Sequence, residues 1–88
     1  MVVRILPRTI IMLVTILGRP GCSWCRKARQ LCNRKKIPYT YKDLDHASNR
    51  DLKHWMEVEN LNTVPQIFID GTHLGGFEAL EKHLSSSD

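Results

Sequence analysis

Two cysteines three residues apart, Cys22-Ser23-Trp24-Cys25, follow the apolar run Ile10 to Leu17 and precede the helix-like stretch Arg26 to Lys36. No other feature constrains the chain as much, because it places a dithiol where a strand hands over to the first turn of a helix. Residues three apart on a helix share a face, so Cys25 is expected beneath Cys22 and within reach of a disulfide. A thiolate at Cys22 would lie among unpaired N–H groups at the positive end of the helix dipole. An unperturbed thiol of pKa about 8.5 is only ~3% ionised at neutral pH, and making the thiolate dominant needs roughly 3 to 4 kcal/mol. The dipole supplies about 0.3 to 2 kcal/mol, so N–H donors and the nearby cations Arg19, Arg26 and Lys27 must provide the remainder.

The chain has 88 residues, enough for one domain with a modest core. Three cysteines, two of them in CxxC, do not make a secreted disulfide scaffold. They point to a reducing, cytoplasmic compartment and to a redox or metal role. Cys32 is the odd thiol; its position beside Leu31 and four residues after Ala28 makes it a small buried hydrophobe on the inward helix face. The formal net charge is +4, and Arg26, Lys27, Arg29, Arg34, Lys35 and Lys36 cluster on one stretch. No aromatic residues interleave with them, so nucleic acid is not an expected partner. Acidic proteins or anionic small molecules suit the cluster better. Four-ligand zinc would need two more ligands, and His46, His54, His73 and His83 show no partner spacing to the dithiol. Phosphate-loop and dinucleotide fingerprints are absent from the sequence.

Residues 1–9 read as an N-terminal extension, 10–84 as the domain and 85–88 as a C-terminal tail. Arg4, Arg8 and the apolar run resemble a short signal peptide, but no small-residue cleavage site follows. The run is also far short of the ~18 to 20 residues of a membrane span, so it is expected to be a buried strand and no membrane partner is expected. Trp24, Ala28, Leu31 and Cys32 recur at helical spacing up to Ile37-Pro38. Tyr39 to Leu44 alternates as a second strand. Ser48 or Asn49 is placed to cap a helix carrying Leu52, Trp55 and Met56. Gln66 to Ile69 and Thr72 to Leu74 flank the turn Asp70-Gly71, and a last helix follows Gly75-Gly76. The order strand, helix, strand, helix, strand, strand, helix predicts a mixed four-stranded sheet with helices on both faces.

This order, with CxxC after the first strand, is similar to the thioredoxin-like fold. Three blocks resemble glutaredoxin: Gly18 to Cys25, Thr63-Val64-Pro65 with its following strand, and Leu74-Gly75-Gly76-Phe77. The resemblance implies an α/β glutathione-disulfide oxidoreductase of dithiol type, with Cys22 as nucleophile, Cys25 as resolving thiol and the two forming a redox-active disulfide. It further implies a cis bond before Pro65 and glutathione held by Arg19, Trp24, Thr63, Val64, Pro65, Gly76, Phe77 and Glu78, with Lys53 or His54 assisting. Its implied partners are glutathione, glutathionylated or disulfide-containing proteins such as a ribonucleotide reductase, and a monomeric state.

Three positions depart from the family pattern. Ala79 stands where many members carry an acid, with Glu78 one position earlier as a substitute. Trp24 replaces a tyrosine, and Ser23 replaces a proline. Members with that serine include dimers bridged by a two-iron two-sulfur cluster on the first cysteine and the thiol of glutathione, so Cys22 is an alternative iron ligand here. A second alternative is a redoxin fed by thioredoxin reductase, with weak glutathione binding.

Overall fold

The computed structural model describes residues 13–86. The expected extension lies outside that range, as do the first residues of the apolar run. Its elements are β1 (Val14–Gly18), α1 (Ser23–Arg34), β2 (Tyr39–Asp43), α2 (Arg50–Val58) behind a 3-10 turn at Ala47–Asn49, β3 (Gln66–Ile69), β4 (Thr72–Gly75) and α3 (Phe77–Ser86). The sheet order is β2-β1-β3-β4. β1 and β2 run parallel, while β3 is antiparallel to both β1 and β4. This is the expected topology, and it is a thioredoxin-like fold.

Period-two alternation divides the side chains of the sheet between two cores. Val14, Ile16 and Ile67 point to one face, where Ala28, Leu31 and Cys32 of α1 meet Leu80 and Leu84 of α3. Leu17 points to the other and joins Leu44 and Met56, with Leu52, Trp55 and Phe68 packed around them. β1 is therefore covered on both sides, which explains why its sequence is a nearly continuous apolar run rather than an alternating one.

Turn chemistry follows from backbone geometry. Asp70 and Gly71 both adopt positive φ (50° and 85°), the pair a two-residue hairpin requires. Asp70 also clasps the start of β1: its N–H donates to the Leu13 carbonyl at 2.9 Å, and its Oδ1 accepts from Leu13 N–H at 2.8 Å. Gly75 has φ 137°, open only to glycine, where the pairing of β3 with β4 slips by one residue.

The start of α2 differs from expectation. Asn49 precedes the helix but makes no side-chain cap; its Nδ2 donates instead to the Asp43 carbonyl at 2.7 Å, tying the helix to the end of β2. The capping is done one turn earlier, where His46 Nδ1 accepts from Ser48 N–H at 3.1 Å.

Cys32 is fully buried, and burial pushes its thiol above the usual 9.0. Its pKa is thus higher folded than unfolded, so its contribution to stability is intact below pH 9 and is lost as pH rises through the folded value. Denaturant unfolding between pH 8 and 10.5 should show a loss of up to ~1.4 kcal/mol per pH unit that Cys32→Ala lacks, with identical slopes counting against it.

Candidate functional site

The dithiol sits at the C-terminal end of β1, the end toward which the parallel pair directs its loops. Cys22 is not on the helix, as the spacing predicts, but caps it: its backbone is extended (φ −92°, ψ 111°) and its Sγ accepts from the Cys25 N–H at 3.1 Å. A thiol can take the place of the usual serine at an N-cap because the orphan N–H groups need only an acceptor. Cys22 and Cys25 form a disulfide, with Cα atoms 5.2 Å apart. Their exposures differ in a way that assigns roles: Cys22 is half-buried and open to an incoming sulfur, whereas Cys25 is 1% exposed.

Gly18 lets Cys25 lie against the strand. A Cβ there would stand 2.8 Å from Cys25 Sγ and 2.9 Å from Tyr41 Cε1. Tyr41 is itself wedged in place, with its hydroxyl donating to the Arg19 carbonyl at 3.4 Å and Arg29 stacked 4.5 Å above its ring. Burial raises its phenol above the usual 10.0 and the nearby Asp43 adds to this, while the Arg29 charge opposes it.

The second block arrives from the start of β3. The Val64-Pro65 bond is cis, as the family resemblance implies. The Val64 carbonyl oxygen lies 3.8 Å from Cys22 Sγ, which brings residues 42 positions apart into one site. The third block, at the start of α3, completes it. Trp24, Thr63, Val64, Pro65, Gly76, Phe77, Glu78 and Ala79 line one open cleft of about 390 Å³. Ala79 is the lining residue that sequence reading treats only as a departure; its offset of one helical step from Glu78 was the available signal.

Trp24 faces the cleft rather than the core. It is 50% exposed, tilts against Phe77 at 5.4 Å and carries the Lys27 ammonium 4.5 Å above its ring. A flat, cation-backed aromatic beside a disulfide makes a platform for an extended, partly anionic ligand.

Three expected residues lie apart from the cleft. Arg19 is not in the cleft lining; its Nε meets Asp45 Oδ1 at 3.3 Å, a half-exposed pair that costs little to open. Lys53 and His54 border a separate surface depression with Arg50, Asp51 and Glu57. Among the described residues, no three His, Cys, Asp or Glu side chains gather as a metal site, and no helix is long and apolar enough to cross a membrane.

A family model described as Glutaredoxin matches residues 11–74. A glutaredoxin of Haemophilus influenzae is 42% identical over 82 residues, spanning 81% of this chain and 92% of that one. A hybrid peroxiredoxin of the same organism is 36% identical over 72 residues, and there the chain spans only 29% of its relative. Among solved structures, a buckwheat glutaredoxin–glutathione complex superposes with a TM-score of 0.69 at 26% identity, covering 85% of this chain and 71% of that one.

Proposed function

The chain belongs to the glutaredoxin family of CxxC thiol–disulfide oxidoreductases, and on that premise we propose that it uses glutathione to reduce glutathione mixed disulfides and protein disulfides. The observation that carries this reading is the cleft beside Cys22, which combines two kinds of recognition, with Arg19 outside its lining supplying a third. Thr63 and Val64 offer backbone groups just ahead of β3, against which the extended cysteinyl part of glutathione pairs. The first turn of α3 offers the N–H groups of Gly76, Phe77 and Glu78 to a γ-glutamyl carboxylate, with Glu78 available to the amine. Arg19 takes the glycine carboxylate after releasing Asp45. The buckwheat relative was solved with glutathione, which supports the same assignment.

In the mixed-disulfide reaction, the Cys22 thiolate attacks the glutathione sulfur of R–S–S–G. A Cys22–glutathione disulfide forms and R–S⁻ leaves, to be protonated by solvent. A second glutathione thiolate then attacks the bound glutathione sulfur, giving glutathione disulfide and restoring Cys22. For protein disulfides, Cys22 makes a mixed disulfide with the substrate and the Cys25 thiolate attacks the Cys22 sulfur. The second substrate thiol departs and the Cys22–Cys25 disulfide remains, the state the structure contains. Two glutathiones return that disulfide to dithiol. We assign the reaction to the cytoplasm, with a ribonucleotide reductase among its protein substrates.

Cys25→Ser separates the two routes. It should keep turnover of a glutathionylated peptide within about three-fold of wild type while reduction of a protein disulfide falls by more than ~100-fold, because only the second needs a resolving thiol. A coupled assay with glutathione reductase measures both, run beside one with thioredoxin reductase. Turnover by thioredoxin reductase alone would refute the glutathione assignment.

A further inference from the structure

Gln66 is the one polar side chain in the core of the described residues, at 5% exposure, and a buried amide must account for both its ends. Its Nε2 donates to the Thr63 carbonyl at 2.9 Å. A carbonyl only accepts, so that end is the amino group and the opposite end, Oε1, needs a donor. His73 Nε2 lies 2.7 Å from it, which assigns the ring proton to Nε2. The imidazole is held in turn by Phe68 at 5.2 Å and edge-on by Trp55 at 5.3 Å.

We propose that His73, acting through Gln66, is a positioning residue that sets the orientation of the substrate-binding peptide between Thr63 and Val64. The Thr63 carbonyl and the Val64 N–H belong to one planar peptide unit, so fixing the first fixes the direction of the second. Val64 is the residue whose carbonyl meets Cys22 Sγ, so the relay runs from the edge strand β4 to the reacting sulfur without touching substrate. Both side chains lie on the α2 face of the sheet, the side opposite α1. The relay therefore supports the loop from behind, and both ends of the buried Gln66 amide are filled, the condition under which a buried polar group specifies one conformation. The substrate-binding role of this peptide and the choice of substrate for the kinetic test rest on the glutathione reading above, whereas the relay geometry does not.

The test compares His73→Phe, which keeps a ring against Trp55 and Phe68 but has no donor, with His73→Gln, whose amide reproduces a donor at the Nε2 position. The Val64 amide resonance should move in His73→Phe and return in His73→Gln. With a glutathionylated peptide, KM should rise about 3- to 10-fold in His73→Phe with kcat within about two-fold, and should recover in His73→Gln. In a Gln66→Leu background, His73→Phe should add nothing further. The imidazole nitrogen shifts of the wild type should report the Nε2–H form. Melting temperatures show that each variant is folded. The proposal is overturned by an unmoved Val64 amide in His73→Phe, by a His73→Gln as impaired as His73→Phe, or by an Nδ1–H tautomer. If the wild type shows no turnover with glutathione, the functional reading fails, and the Val64 resonance and the tautomer still decide the relay.

Discussion

Cys22→Ser is expected to abolish exchange with every disulfide, a loss of more than ~10⁴-fold, while the protein folds as before. The chemical half of this expectation follows from the step itself: a serine hydroxyl does not ionise near neutral pH, and oxygen does not replace sulfur in thiol–disulfide exchange. The structural half follows from the cap. Cys22 Sγ accepts from the Cys25 N–H at the start of α1, and serine is among the preferred residues for that task. The melting temperature of the variant should therefore match that of reduced wild type within a few degrees. Coupled assays with a glutathionylated peptide and with a protein disulfide read the activity. Residual turnover above 1% of wild type, about a hundred times the expected level, would move the nucleophile to Cys25 and so contradict the difference in burial.

Gly18→Ala should produce the largest stability change of any single methyl added near the site. The new Cβ would press on Cys25 Sγ at 2.8 Å and on the ring and hydroxyl of Tyr41. Neither neighbour retreats cheaply, since Cys25 is itself buried in the first turn of α1 and Tyr41 is pinned by Arg29 and the Arg19 carbonyl. Overpacking of this kind costs about 1 to 3 kcal/mol, which for a domain of this size lowers the melting temperature by roughly 5 to 20 °C. Adding Tyr41→Phe removes the hydroxyl contact alone and should recover only part of the loss, because the contacts with Cys25 Sγ and the ring remain. An unchanged melting temperature in Gly18→Ala would mean that the strand end yields where packing says it is rigid.

The fold was legible in the sequence because its signals are local. An apolar run, a helical period from Trp24 to Cys32 and an Asp-Gly turn each report on neighbours a few residues away. The cleft was legible by another route: Thr63-Val64-Pro65 and Gly75-Gly76 carry little meaning alone and are placed beside Cys22 only by the family pattern. What escaped are partnerships between distant side chains. Nothing in the spacing pairs Arg19 with Asp45, which holds the arginine outside the cleft lining, or takes Asn49 away from its helix to the end of β2. Gln66 looked like one more strand residue, and His73 like an unplaced histidine. Their pairing depends on which strand faces meet, a fact of register rather than of pattern. The place of Cys22 at the helix start, among unpaired N–H groups, was legible; that its Sγ accepts from the Cys25 N–H in particular was not.

The Asp70 clasp on Leu13 bears on how this protein can be handled or joined to others. β1 is five residues long, so at about 3.3 Å per residue the clasp stands roughly 17 Å from the thiols, at the opposite rim of the sheet. Leu13 is thus tethered to the hairpin at the rim away from the cleft. A surface linker or fluorophore attached at that rim, on the Asp70-Gly71 turn, leaves the dithiol open to bulky substrates, whereas one attached near Trp24 or Phe77 stands across their path.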